Sequence, residues 1–364
     1  MLSSIQLPVA KEASAQCSTI FAAQTTYSTG SSPQFLKAFD VNGDGKPDII
    51  VANSGSNNVG VLLNIGSGTF AAQKTYSTGN WPDSVDAADV NGDGKPDIIV
   101  ANYGSNNVGV LLNIGNGTFA AQTTYSTGSG SIPYSAVAAD VNGDGKPDII
   151  VVNSGSNNVG VRLNIGNGTF AAQTTYSTGI GPVEAAAVDV NGDGKPDIIV
   201  ANSNSNNIGV LLNTGNGTFS AQTTYLTGAG SGSVVAADVN GDGKLDIIVA
   251  NYDSNNVGVL LNIGNGTFAA QKTYSTGTNP VELAAADVNG DGKVDIIVAN
   301  YGSNNVGVLL NIGNGTFAAQ KTYSTGSGSI PYYVVAADVN GDNKPDIIVA
   351  NYGSNNIGVL LNCC

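Results

Sequence analysis

The 364-residue chain has no histidine, one tryptophan, one methionine and three cysteines. Without an imidazole, every mechanism that needs histidine as base, nucleophile or zinc ligand is excluded. Cys17, Cys363 and Cys364 stand at the two ends, too few and wrongly spaced for a structural zinc site. Positive charge is also scarce. Thirteen Lys and Arg against 27 Asp and Glu leave a formal net charge of −14, so the basic patch that nucleic acid demands is missing. No apolar run approaches the roughly 20 residues of a membrane-spanning helix. Helical periodicity is absent as well, because Gly or Pro interrupts every window long enough to hold a helix.

What the chain does contain is turn residues and β-formers. There are 49 glycines and 12 prolines, yet 41% of residues are hydrophobic, enough to bury a core. The composition describes a soluble, acidic, all-β protein. Residues 1–19 read as an N-terminal tail. Its Ala13-Ser14-Ala15 is either the end of a trimmed secretory signal or part of an unstructured arm, since no apolar run of signal length precedes it.

Self-comparison sets the organisation. The string D-V-N-G-D-G-K-P-D, with small variations, begins at Asp40, Asp89, Asp140, Asp189, Asp238, Asp287 and Asp338, at intervals of 49 or 51 residues. Each copy continues through I-I-V, an Asn/Ser/Gly turn, N-N-[VI]-G-V-x-L-N, a G-x-G-T-F turn and Q-x-T-Y-x-T-G. The two longer spacers carry their extra residues in Ser129–Tyr134 and Ser327–Tyr332, which marks a surface loop.

Each unit reads as four short strands bounded by Gly, Asn and Pro. In the first full unit they are expected near Phe35–Phe39, Asp48–Ala52, Asn58–Asn64 and Phe70–Ser77. About 50 residues and four strands per repeat predict a propeller blade, and seven repeats predict seven blades. A parallel β-helix is the alternative, though its repeats are shorter. Phe21–Gly30 is a fourth strand with no first three before it, and the chain stops at a third strand with no fourth after it. The N-terminal strand is therefore expected to complete the C-terminal blade within a single domain over 20–364, removing two open sheet edges. Alignment on Phe21 brings Cys17 to the register of Cys363 and Cys364. Either a disulfide closes that seam in an oxidising compartment or three thiols sit at frayed ends.

The acidic string is the candidate metal site. Oxygen-bearing side chains recur at positions 1, 3, 5 and 9, position 7 offers a carbonyl, and Gly at position 6 permits a sharp turn. The residues are Asp40, Asn42, Asp44, Lys46 (carbonyl) and Asp48 at 40–48; Asp89, Asn91, Asp93, Lys95 and Asp97 at 89–97; and Asp140, Asn142, Asp144, Lys146 and Asp148 at 140–148. They continue as Asp189, Asn191, Asp193, Lys195 and Asp197 at 189–197, then Asp238, Asn240, Asp242, Lys244 and Asp246 at 238–246. The last two sets are Asp287, Asn289, Asp291, Lys293 and Asp295 at 287–295, and Asp338, Asn340, Asp342, Lys344 and Asp346 at 338–346. The loop starts like an EF-hand but ends in Asp at position 9 and runs into a strand. Each lysine is expected to point outward. Three aspartates in each of seven loops account for 21 of the 27 acidic residues. Clustering them is unfavourable without a cation, and seven Ca²⁺ cancel the formal −14. Magnesium suits the site less, because it wants fewer protein ligands.

These loops, over about residues 20–362, resemble the FG-GAP/VCBS repeat family of seven-bladed propellers, similar to integrin α-subunit headpieces and certain fungal propeller lectins. The resemblance implies a Ca²⁺ ion in each loop joining first and second strands, stiffening the lower face. The chain departs from the integrin pattern in having a loop in all seven units, and in replacing most F-G and G-A-P strings by T-F-A-A-Q and small residues.

Divergence between the units gathers in the loops joining fourth and first strands: Trp81, Asp83, Tyr134, Glu184, Glu282, Tyr332 and Tyr333. The loops joining second and third strands add Tyr103, Tyr252, Tyr301 and Tyr352. Both sets are expected opposite the calcium loops. They are either a surface for a protein or glycan, which needs aromatic faces beside amides and hydroxyls, or solvated loops with occasional aromatics. Five N-G-T strings, at Asn116, Asn167, Asn216, Asn265 and Asn314, read as hairpin turns, or as glycosylation acceptors in a eukaryotic secreted protein. The Phe and Tyr of the T-F and T-Y strings read as packing between blades. An enzyme is not expected, because the non-repeat residues supply no nucleophile–base pair. Three functions remain: a calcium-stabilised, monomeric, extracellular binding or adhesion scaffold; a lectin; or a structural repeat without a selected ligand.

Overall fold

The computed structural model describes residues 19–363. Seven four-stranded antiparallel sheets stand around a central axis. In the first full blade the strands run, from axis to rim, Pro33–Phe39, Asp48–Asn53, Asn58–Leu62 and Lys74–Ser77. The second strand, Asp-Ile-Ile-Val-Ala-Asn, is buried at all six positions. Neighbouring blades cover both its faces, so it reads as a continuous apolar run without alternation.

The core lies between blades. One cluster joins Val41, Ile50, Val59 and Val61 of one blade to Val85, Ile98, Val100, Leu111 and Phe119 of the next, and six similar clusters complete the ring. Each such buried aliphatic side chain contributes about 1.5–3 kcal/mol. The repeated aromatics seal these interfaces as expected. Tyr76 meets Phe119 edge-on at 5.3 Å, and its hydroxyl donates to the Gly117 carbonyl of that blade at 3.2 Å. The turn reading of N-G-T holds too: Asn116 and Gly117 both have positive φ, 50° and 65°.

Ring closure is formed by the N-terminal strand. Thr25–Ser28 pairs antiparallel with Asn356–Leu360, the third strand of the last blade. Phe21 bridges to Asn362, and its ring packs edge-on against Tyr323 at 5.3 Å. Cys363 is exposed, whereas Cys17 and Cys364 lie outside the described residues, so the expected disulfide does too. Among the described residues no helix is long and apolar enough to cross a membrane.

Two strand expectations need correction. The third strand stops at Leu62, and Asn64–Gly66 pairs with Thr69–Phe70 as a separate two-stranded hairpin. The fourth strand is consequently only Lys74–Ser77. The reason is Asn64, which leaves the blade sheet to bind the acidic loops. Its N–H donates to Asp48 Oδ1 at 2.7 Å, and its Nδ2 donates to the Pro47 and Val339 carbonyls at 3.0 and 2.9 Å. Val339 belongs to the acidic loop of the neighbouring blade, so each hairpin staples two blades.

Candidate functional site: the acidic loops and the channel mouth

Each acidic loop is wrapped by its own amides. Asp40 Oδ1 accepts from Gly43 N–H at 2.7 Å and Asp44 N–H at 3.2 Å, and Oδ2 accepts from Gly45 N–H at 2.7 Å. Asn42 Oδ1 accepts from Asp44 N–H at 2.9 Å. Gly43 and Gly45 take φ of 79° and 82°, and Asn343 fills the latter position at 64°, a region open to Gly and tolerated by Asn.

The loop geometry departs from the sequence expectation in two respects. The lysine does not point outward: Lys46 Nζ sits 2.9 Å from Asp44 Oδ2, and the same pair recurs in the next five loops. Nor do the three carboxylates meet at one centre, and among the described residues no acidic, imidazole or thiol groups gather in threes as metal ligands. Position 9 is drawn away because Asp48 is fully buried and both its oxygens are taken, Oδ2 by Val41 N–H at 3.0 Å and Oδ1 by Asn64 N–H. Burial raises the Asp48 pKa, and to about 6 for Asp97 and Asp295. The donor set at positions 1, 3, 5 and 7 still fits a hard cation in kind, being all oxygen. It already draws one positive charge, the lysine ammonium.

The second feature is a cavity of about 370 Å³ at the opposite end of the inner strands, about 20 Å from the acidic loops by strand rise. It was expected to be a surface of exposed loops. Instead Asp83, Tyr134, Glu184, Glu282, Tyr332 and Tyr333 lie within the innermost strands Pro82–Ala88, Pro133–Ala139, Pro182–Val188, Pro280–Ala286 and Pro331–Ala337. Asp83 and Glu282 are buried, at 8% and 6% exposure. Every inner strand opens with a register shift, as between Pro82 and Ser84. Such a bulge keeps the chain paired while re-aiming its side chains, here towards the axis. Trp81 alone of the seven keeps its expected place, exposed at 58% in the loop with φ of 49°.

An aromatic arc frames this mouth. Trp81 lies 6.1 Å from Tyr103, which lies 5.9 Å from Tyr134. The Tyr134 and Tyr332 hydroxyls are 3.4 Å apart. Tyr332 is 6.1 Å from Tyr301 and 5.7 Å from Tyr352, and Tyr301 is 6.2 Å from Tyr252. Deeper in, Phe35 stacks on Tyr333 at 3.6 Å.

The polar lining is electrostatically tuned. Burial lifts Asp83 to about 8 against a lowering bond from Gln34, and lifts Glu184 to about 7. Burial and the nearby Glu184 push Glu282 well above the usual carboxylate range. Burial raises Tyr332 to about 12 and pushes Tyr134 and Tyr333 up as well. One pleat step further down, Lys37 pairs with Asp86 at 2.9 Å. Sequence reasoning missed Phe35, Lys37, Asp86, Ser135 and Asp253. A signal for two of them was present: Lys37 and Asp86 stand where the other repeats carry Val137, Ala186, Val235, Ala284 and Val335.

Solved structures share this fold. Virginiamycin B lyase from Staphylococcus aureus, in a catalytically inactive form with quinupristin, superposes with a TM-score of 0.66 at 15% identity, over 93% of this chain and 99% of that one. BBS1N in complex with ARL6DN gives 0.65 at 12% identity, over 94% and 97%. An Agrocybe aegerita lectin that recognises non-reducing terminal N-acetylglucosamine gives 0.59 at 23% identity, over 91% and 86%. At such identities the likeness concerns the fold. No curated protein matches the chain by sequence. The acidic loops carry the sequence kinship: an FG-GAP-like repeat pattern matches residues 40–100, 89–151, 140–200, 189–249, 238–298 and 287–349, and the chain belongs to the FG-GAP-like repeat family.

Proposed function

We propose that this propeller is a calcium-stabilised, non-catalytic, extracellular binding scaffold whose ligand site is the channel mouth. The observation that carries the reading is the aromatic-framed cavity of about 370 Å³ with Asp83, Glu184 and Glu282 in its wall. Concave, largely apolar sites with a few convergent polar groups are where proteins bind ligands. Calcium belongs to the other face, with Asp40, Asn42, Asp44 and the Lys46 carbonyl, and their counterparts, as holders, while Asp48 stays committed to the Val41 and Asn64 amides. There it would add to the single lysine charge that pairs with the position-5 carboxylate in six of the seven loops. Loops of this kind work at the millimolar calcium found outside cells, hence the localisation.

Two measurements test the reading. Calcium titration followed by melting should raise Tm and chelator should lower it, because each site filled at 100 times its Kd adds about 2.7 kcal/mol. A melting curve indifferent to metal removes the calcium assignment. Trp81→Ala, at a side chain 58% exposed, should abolish partner capture while leaving Tm within about 2 °C; unchanged capture removes the mouth. A second reading, a lectin, is favoured by the exposed Trp81 beside Tyr103, and the fungal relative's sugar specificity supports it. A glycan array run with and without chelator decides between them.

A further inference from the structure

We propose that the axial cavity binds a small primary ammonium ion, with its charge against Glu184 and Glu282 and its hydrocarbon part against the tyrosine wall. This rests on the channel mouth being the ligand site.

The acidic residues outside the loops number six, and one of them, Glu12, lies outside the described residues. Of the other five, Asp83, Asp253, Glu184 and Glu282 line this one cavity, and Asp86 lies just below it. In a chain of near-copies, charges that break the repeat converge on a single place.

Blade architecture does not require them. In three of the inner strands the third residue caps a backbone amide of the next blade. Ser84 Oγ accepts from Ala136 N–H at 3.2 Å, and Ser233 Oγ accepts from Leu283 N–H at 3.2 Å. Glu184 Oε2 does the same for Val234 N–H at 3.0 Å. A serine suffices for that bond, so the carboxylate brings a buried negative charge that backbone capping leaves unused. Within the channel the described basic group is Lys37; it pairs with Asp86 at 2.9 Å and reaches Glu184 only as a distant charge, the smallest of the causes acting on that carboxyl. Buried charge without a counter-charge is costly, and a cationic ligand relieves that cost.

The wall selects the kind of cation. Tyr134, Tyr252, Tyr301 and Tyr332 present ring faces or edges to the cavity, and ammonium groups are attracted to aromatic faces. Ser135, another wall residue, is 2% exposed and its Oγ has no hydrogen-bond partner among the described residues. A head group bearing N–H donors satisfies carboxylates and hydroxyl together; a quaternary ammonium has none to give. The volume, about 370 Å³, is near the lower limit for ligand sites, so the ligand is small.

Binding is coupled to protons. Glu184 is faced by Ser233 and Val234 N–H from one side, Glu282 and Tyr333 beyond, and Lys37 across the channel. Asp83 is faced by Gln34, Tyr134 and Tyr332. Burial holds Asp83 and Glu184 partly protonated near neutrality and favours the neutral form of Glu282, so an arriving ammonium expels protons and its affinity rises with pH.

The test is calorimetric titration of the calcium-loaded protein with n-pentylammonium, 1-pentanol and pentanoate, in two buffers of different ionisation enthalpy. The ammonium should bind, with proton release and about a tenfold gain in affinity between pH 6 and pH 8.5. Glu184→Gln, which keeps an acceptor for Val234, should weaken it at least tenfold and flatten the pH profile without lowering Tm. Glu282→Gln provides an independent second variant. Equal binding of 1-pentanol, affinity independent of pH, or no binding at tens of millimolar overturns the proposal. If a sugar or protein is still captured at the mouth in that last case, the scaffold stands and only the ammonium falls.

Discussion

At the scale of single residues, the channel carboxyls make stability depend on pH in a direction opposite to most acidic groups. Asp83 titrates near 8 in the fold against about 3.8 in the unfolded chain, so the native state holds its proton longer. The contribution of Asp83 is therefore full below pH 4 and is lost as pH rises towards 8, since stability falls wherever the native state binds more protons. At fixed calcium and without other ligand, Tm should drop by a few degrees between pH 6 and pH 9. Asp83→Asn should remove part of that drop, and a steeper drop in the variant would contradict the assigned burial. Residues also limit the mouth sterically. A Cβ on Gly353 would collide with the Gly328 carbonyl and with Ile330 Cδ1 at 2.9 Å. Backbone cannot yield cheaply, so Gly353→Ala should destabilise by about 1–3 kcal/mol in urea. It should also displace the Gly328–Ile330 loop that leads into the strand carrying Tyr332.

At the scale of elements, the two-stranded hairpin is the least anticipated part and the one that ties blades together. Asn164 Nδ2 donates to the Val90 carbonyl of the neighbouring blade's loop at 2.8 Å and to Pro147 at 3.0 Å, while its Oδ1 accepts from Gly166 N–H at 2.9 Å. Asn164→Ala strands buried partners on both sides and should lose about 2–4 kcal/mol of unfolding free energy. A loss under 0.5 kcal/mol in chemical denaturation would reduce the staple to decoration. The hairpin was hidden in the sequence because Asn58–Asn64 has unbroken β character; only the partners of Asn64, supplied by another repeat, show where the strand ends. Strand identity and order were readable, because Ile-Ile-Val and its flanking turns recur seven times. The mouth was half readable. Tyr134, Glu184 and Tyr332 stood out as departures from the repeat, but their burial depends on the bulge after each inner-strand proline and on the closing of the ring. No local pattern encodes either.

At the scale of the whole molecule, closure rests on few contacts. The strand Thr25–Ser28 covers the third strand of the last blade, and Cys363 N–H donates to the Ile20 carbonyl at 2.7 Å. Deleting residues 1–28 uncovers a sheet edge, Asn356–Leu360, that is buried at four of five positions. Such an edge recruits another chain, so the truncated protein should elute as dimers or larger species and melt earlier. A monomer of unchanged Tm would show that the last blade stands on three strands. The repeats supply a uniform frame, and individuality resides in the second, third and fifth residues of each inner strand, where Asp83, Glu184 and Lys37 sit. Such a frame behaves as a combinatorial host. Randomising those inward positions, with every staple and hairpin left intact, offers a library in which new specificities can be selected without renegotiating the fold.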